Sequence, residues 1–239
     1  MRIQTHGSNL IQLSMAYFPC NCYLVREADG FTLVDTAIYS AKGILAAAAE
    51  YSAEQYGTTI KRIALTHDHS DHVGSLDALH ALLPDAEVSI SARDARFLRG
   101  DMSLDPNESQ DKLRGGYVVC KTTPNRLLNA GDQVGSLEVV ASPGHTPGHI
   151  AFLDHRDGTL IAGDAFSTQG GISTAGTLKL LFPLPAAATW SKLTGLHSAE
   201  ALLALKPSRL ATGHGKVLDN PIPAMEQAIA EAKRKLGGV

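Results

Sequence analysis

Cysteine is scarce in this chain: Cys20, Cys22 and Cys120 are the only three in 239 residues. An odd count, with two of them one residue apart, makes a poor disulfide framework, and buried thiols in a reducing compartment are expected instead. Cys20-Asn21-Cys22 also lacks the second cysteine pair that a structural zinc site needs. Long apolar runs are missing as well, so no bilayer-spanning helix is expected. The early stretch 10-LIQLSMAYF-18 is interrupted by Gln12 and Ser14, follows no basic segment and precedes no small-residue cleavage pattern. It does not read as a secretory leader, and the expected location is cytoplasmic. Positive charge is not in excess either: 21 Lys and Arg face 24 Asp and Glu, for a net charge of −3. No global basic field is there to attract nucleic acid, and no membrane partner is expected. With 44% hydrophobic and 19% charged residues, disordered and collagen-like classes are excluded, and the chain is long enough for a sizeable core.

What is present reads as alternating strands and helices. Apolar or alternating runs predict strands over 10–15, 20–26 and 31–35, with 27-EADG-30 as a turn. Alanine-rich residues 41–55 predict a helix that Gly57 stops. Strand 60–65 follows, then a helix over 73–83 ended by Pro84, and a strand over 87–90. Ser91 with Asp94 reads as a capping box for a short helix through Leu98. Residues 100–116 are polar and read as a loop. Strands are expected over 125–129 and 133–141, and a hairpin over 149–163 turning at 155-HRDG-158. Residues 166–186 read as a long loop, followed by a helix over 187–205, a strand over 208–211 and a helix over 222–236. Two similar halves packed sheet on sheet, with helices outside, fit this order, and residues 1–239 are expected to form one domain.

The chemistry concentrates in 66-THDHSDHVG-74, where His67, His69, Asp71 and His72 spell H-x-H-x-D-H. Alternating His67 and His69 can present two imidazoles to one ion, while Asp71 and His72 aim elsewhere, so one turn can serve two ions. Further ligand types recur in matching contexts. His145 lies in 142-SPGHTPGH-149, Asp164 in 161-IAGDAF-166 and His214 in 211-ATGHGK-216, each in a glycine-flanked turn at the end of an apolar strand. Strand ends are where a backbone holds a ligand rigidly.

H-x-H-x-D-H, the later G-H-T-P-G-H, the G-D and the final G-H together resemble the metallo-β-lactamase-fold hydrolase superfamily, as do 20-CNCYLV-25 and 31-FTLVDTA-37. The resemblance implies an α+β fold, an αββα sandwich of two mixed sheets with helices outside and metals at one edge. It implies that His67, His69 and His145 hold one ion, that Asp71, His72 and His214 hold a second, and that Asp164 bridges them. Two zinc ions are expected, with iron or manganese as alternatives. The implied activity is hydrolysis of an ester-like bond (lactone, thioester or carboxylic ester) in a small-molecule substrate. A hydroxide between the ions would attack, with Asp71 as the catalytic carboxylate that orients it or carries its proton. An iron-binding redox enzyme, a phosphodiesterase and a β-lactamase stand as alternatives on the same fold.

Departures narrow the reading. No cysteine falls in the metal motifs, as the lactamases with a cysteine at the second ion require. Asp164 separates the chain from lactamases without a bridging carboxylate. Homoserine-lactone lactonases place a tyrosine three residues after that aspartate, where this chain has Ser167. Asp35 is read either as a support behind the metal ligands or as a plain strand-end cap, and His149 as a structural hydrogen-bonder. The apolar part of 166–190, with Leu178, Leu180, Leu181, Phe182 and Leu184, is expected to wall a pocket, pack on the core or form a homodimer contact.

Overall fold

A computed structural model describes residues 1–15, 18–52 and 60–237. The first half of the chain builds one sheet. Strands β1 (Arg2–His6), β2 (Leu10–Ser14), β3 (Asn21–Glu27) and β4 (Gly30–Val34) form an antiparallel meander. Helix α1 (Ala41–Ser52) then crosses to β5 (Ile60–Ala64). Short helices α2 (Ser70–Val73) and α3 (Leu76–Leu82) lead to β6 (Glu87–Ser91), and α4 (Ala95–Leu98) to β7 (Arg126–Leu128). Strands β4 to β7 run parallel to one another. Among the described residues this sheet has seven strands in sequence order.

The second half builds a sheet from β8 (Gln133–Val134), β9 (Leu137–Ala141), β10 (Ile150–Asp154) and β11 (Thr159–Ile161), extended later in the chain. A small hairpin, β12 (Phe166–Ser167) with β13 (Ser173–Thr174), and helices α5 (Leu184–Ala188) and α6 (Lys192–Ala204) come next. Strands β14 (Arg209–Ala211) and β15 (Leu218–Asp219) complete the sheet, and α7 (Ile222–Lys235) closes the chain. Its order is β15-β14-β11-β10-β9-β8, with β11 and β14 parallel.

Side-chain alternation explains the layering. In β3, Cys22 and Leu24 face α1 and α3, while Tyr23 and Val25 face the other sheet. In β10, Ala151 and Leu153 face α6 and α7, while Ile150 and Phe152 point to the inter-sheet core. Strands buried on both faces need helices on both outer sides, and the result is an αββα sandwich. Fully burying a leucine or phenylalanine in such a layer contributes roughly 1.5–3 kcal/mol. Among the described residues, no helix is long and apolar enough to cross a membrane. Cys20 and Cys22 are free and buried, and burial pushes the Cys20 thiol up to about 12.

Several local expectations need correcting. The helix expected over 73–83 is broken at Gly74-Ser75, where Ser75 donates its amide to Ala37 O (3.0 Å) instead of continuing the ladder. The strand expected over 133–141 is a hairpin turning at Gly135, which has φ 58°. The loop expected over 166–186 contains the β12–β13 hairpin and the start of α5. The helix expected over 187–205 starts instead at Lys192, capped by Ser191, whose Oγ accepts from the Thr194 amide. Strands β1 and β15 were not expected; both lie at sheet edges, where alternation is weak. The end of the helix expected over 41–55, and Gly57, lie outside the described residues.

Candidate metal centre

Parallel strand neighbours explain why distant residues meet. Asp35 follows β4 and the 66–72 turn follows the adjacent β5; Asp164 follows β11 and His214 the adjacent β14. The 142–149 loop joins β9 to β10 at the same edge. The five turns therefore open on one end of the sandwich, three from one sheet's side of the cleft and two facing them. Tyr23 donates its hydroxyl to Thr212 O (2.6 Å), and the Asn21 side chain donates to Thr212 O (2.9 Å) and Gly215 O (2.8 Å). These bonds tie the turn that carries His214 to the opposite sheet.

All seven residues singled out from the motifs come together. His67, His69 and His145 form one group of donor atoms, His67, His72 and Asp164 a second, and Asp71, His72 and His214 a third, each within 4.8 Å. His145 Nε2 and His214 Nε2 both lie close to Asp164 Oδ2, at 3.2 and 3.1 Å, and His72 Nε2 is 3.5 Å from Oδ1. Asp71 Oδ2 is 3.3 Å from His214 Nε2.

The outward nitrogens are all committed. His72 Nδ1 meets Asp35 Oδ2 at 2.8 Å, and His214 Nδ1 meets the Pro19 carbonyl at 2.6 Å. His69 Nε2 meets the Arg114 carbonyl at 3.0 Å. Thr66 gives its hydroxyl proton to Asp35, so its oxygen accepts from His67 Nδ1 (2.9 Å). Thr189 gives its proton to Pro185 O and accepts from His145 Nδ1 (3.1 Å). This network commits the outward nitrogens and turns the other five ring nitrogens inward with two carboxylates; those of His67, His69 and His145 present lone pairs. His69 Nδ1 and His145 Nε2 then face each other at 3.0 Å with no proton between them. His67 Nε2, His72 Nε2 and Asp164 Oδ1 are buried and have no hydrogen-bond partner.

Charge divides the cluster in two. Burial, reinforced by the neighbouring imidazoles, holds His67 well below the usual histidine range. Burial also holds His145 well below it and His69 at about 4. These three are neutral, the ligating form. Burial opposes protonation of His72 too, but Asp164, Asp35 and Asp71 outweigh it and raise His72 to about 9. Asp164 likewise raises His214 well above its ordinary value against burial. Burial would raise Asp71, yet His72 and His214 pull it down to about 2.

Asp35 supports the ligands: besides His72 it accepts from the Thr66 amide (2.8 Å). It holds φ at 60°, a strained backbone that these bonds sustain. His149 is a structural hydrogen-bonder. Its Nδ1 meets Ser142 Oγ (2.8 Å) and its Nε2 accepts the Asp164 amide (3.0 Å). Glycine before His214 is a matter of space, since a Cβ on Gly213 would lie 2.1 Å from Asp164 Oδ1.

Other supports had no sequence signal. Asp94 does not close a capping box: Ser91 Oγ accepts the Asp94 amide, but the carboxylate reaches away to Thr146 Oγ1 (2.6 Å) and the amides of Gly148 (2.7 Å) and Asp68 (3.2 Å). It thereby clamps the 142–149 loop to the 66–72 turn. Burial pushes it up to about 6 despite those bonds. The 101–117 loop reaches in to hold His69 through Arg114 O. Gly115, at φ 94°, makes room, because a Cβ there would lie 2.3 Å from His69 Nε2. Arg93, bonded to Glu108, and Arg96, bonded to Asp101 and Asp105, brace this loop, and the Trp190 indole donates to Asp111 O (2.9 Å).

The centre lies at the floor of a cleft of about 440 Å³ walled by Phe18, Ile38, the 115–116 backbone and α5. Of the apolar residues in 166–190, Leu184 lines this cleft and Phe182 packs on His214 with ring centres 5.2 Å apart, while Leu180 and Leu181 are exposed.

Comparison with known proteins agrees with this geometry. The family model described as "Metallo-beta-lactamase superfamily" matches residues 16–214. The chain is 49% identical over 221 residues to the uncharacterized protein YobT of Bacillus subtilis, covering 92% of this chain and 93% of that one. It is 28% identical to the probable metallo-hydrolase YflN of the same organism, covering 88% and 83%. Among solved structures it resembles TTHA1623 in a di-iron-bound form, with TM-score 0.63 and 26% identity, covering 89% of this chain and 96% of that one. Sequence motifs, sandwich and converging donors thus agree, and the chain belongs to the metallo-β-lactamase superfamily of metal-dependent hydrolases.

Proposed function

We propose that this chain hydrolyses an ester-like bond (a lactone, thioester or carboxylic ester) at a centre of two metal ions. The observation that carries the reading is the convergence of five inward histidine nitrogens and two carboxylates, with no hydrogen-bond partner for His67 Nε2, His72 Nε2 or Asp164 Oδ1. Buried acceptors turned on one another are costly, and cations remove that cost. The donor set fits. His67, His69 and His145 would hold one ion, Asp71, His72 and His214 the other, with Asp164 reaching both. Nitrogen-rich ligation with carboxylates suits zinc, and also iron or manganese. Ions bound there supply Lewis acidity toward a carbonyl oxygen and lower the pKa of water toward neutrality.

The chain's own residues do the rest. Asp71 lines the cleft as an ionised carboxylate and orients water by accepting its hydrogen bond. Leu184, Pro185, Ala187, Phe18 and Ile38 exclude bulk solvent and take up the apolar part of a substrate. Ser167 contributes no donor to a substrate oxygen, since its hydroxyl is turned to His214 O and the Gln169 amide. An iron-dependent redox reading draws support from the di-iron form of TTHA1623.

A panel of lactones, thioesters, aryl esters, phosphodiesters and β-lactams, run on zinc-loaded and iron-loaded protein with oxygen uptake followed in parallel, tests both. Ester-bond turnover that disappears in His69→Ala and Asp71→Ala, with circular dichroism unchanged, is the expected result. Turnover retained in both variants, or oxygen uptake without hydrolysis, refutes the reading.

A further inference from the structure

The catalytic cleft does not end at the metal-ligand cluster. A second groove of about 240 Å³ adjoins it at Ala187, beside the 114–116 backbone and α5. Ala187 lines both cavities, and Arg114 and Ala186 take over as walls where Gly115 and Ala188 leave off. The Trp190 indole bonded to Asp111 O ties the two walls together and fixes their separation. The outer groove has a distinct character. Its charged lining residues are Arg114 and Lys192, and no acidic side chain lines it. Neither cation makes an ion pair among the described residues. Arg93, by contrast, is paired with Glu108, Arg96 with Asp105 and Lys179 with Glu231. The Lys192 stem lies over Gly176, where a Cβ would come within 2.6 Å of its Cγ, so the ammonium is carried on a seated stem. In a chain of net charge −3, two cations without an ion pair among the described residues line one groove beside the catalytic cleft.

From this adjacency we infer that the substrate carries an anionic group, a carboxylate, sulfonate or phosphate, which Arg114 and Lys192 bind while the ester-like bond lies over the His67–His214 cluster. The inference rests on the ester-hydrolase reading and names the substrate class within it. The anion belongs at the far end of the substrate, beyond the apolar span of α5, because the cleft between is lined by Leu184, Pro185 and Ala187. A charge-assisted bond also orients a guest more sharply than apolar contact, so it fixes which way round the substrate enters.

The test uses matched aryl esters on the zinc-loaded protein. Mono-4-nitrophenyl succinate against 4-nitrophenyl butyrate places the anion on the acyl side. 4-Sulfophenyl butyrate against phenyl butyrate places it on the leaving group. One anionic ester of the two pairs is expected to have a kcat/KM about tenfold above its neutral partner at low ionic strength, the advantage shrinking severalfold at about 0.5 M salt. In Arg114→Gln/Lys192→Gln that ratio falls to about one, and in Arg114→Glu/Lys192→Glu it inverts. No preference in either pair, or a preference that survives the double substitution, overturns the inference. Binding is read separately through the fluorescence of Trp190, the chain's one tryptophan, titrated with succinate and with butyrate. If no ester is turned over, the hydrolase reading fails on its own. The groove assignment then stands if succinate binds more tightly only when Arg114 and Lys192 are present, and falls if the two acids bind alike.

Discussion

With two ions bound as proposed, protons and metal ions would compete for one half of this centre and not for the other. His67, His69 and His145 are neutral at pH 7, so an ion entering their group displaces no proton. His72 is raised to about 9 against the opposing effect of burial by Asp164, Asp35 and Asp71, so at pH 7 it carries a proton that a second ion must expel. Two pH units correspond to roughly 3 kcal/mol, a hundredfold in apparent affinity. His214 is raised in the same direction, which steepens the dependence toward two protons per ion. The sign is definite. Both folded-state pKa values lie above the unfolded value, so their stabilisation of the metal-free fold is full below about pH 6.5, and the share of His72 is lost as pH rises through about 9. Over the same window, affinity for the second ion rises. Chelator-competition titrations with zinc between pH 6.5 and 9 should give one dissociation constant that is nearly flat. The other should fall tenfold to a hundredfold per unit, with matching proton release in weakly buffered calorimetry. Two flat profiles, or two equal slopes, would show that the division of charge between the halves is wrong.

Two further outcomes follow from the geometry. Asp35→Ala leaves the Thr66 amide and His72 Nδ1 without their acceptor, and it should weaken second-ion affinity by about 10–100-fold and lower stability by roughly 2–4 kcal/mol, read by metal titration and urea denaturation. Gly213→Ala places a methyl 2.1 Å from Asp164 Oδ1 in a turn held by Tyr23 and Asn21, so kcat/KM should fall by about a hundredfold or more with far-ultraviolet circular dichroism unchanged.

The turns that carry the donors were legible because catalysis at a strand end leaves a local mark. An apolar run such as 60-IKRIAL-65 stops at a glycine- and histidine-rich turn, and no packing need explains three imidazoles there. The same logic marked His145, Asp164 and His214. Fold legibility followed periodicity: β3, β4, β5 and β6 alternate or run apolar and fall where expected, whereas α2 and α3 split because Ser75 bonds to Ala37 across the chain. The 166–190 stretch was hardest. Its short elements hold together through contacts with His145, Gly144 and His214 rather than through propensity, as the amides of Trp190, Ser191 and Thr168 show.

The sequence alone determined the donors, their order and the strand-end turns that present them, because residue type and hydrophobic period are local properties. Only the tertiary structure decided which nitrogen of each histidine faces inward, since that choice rests on Asp35, Thr66, Thr189, Pro19 O and Arg114 O. Apart from Thr66, which directly precedes His67, those partners stand 37 to 195 residues away along the chain and are brought near only by the packing of strands and loops and the closing of one sheet on the other.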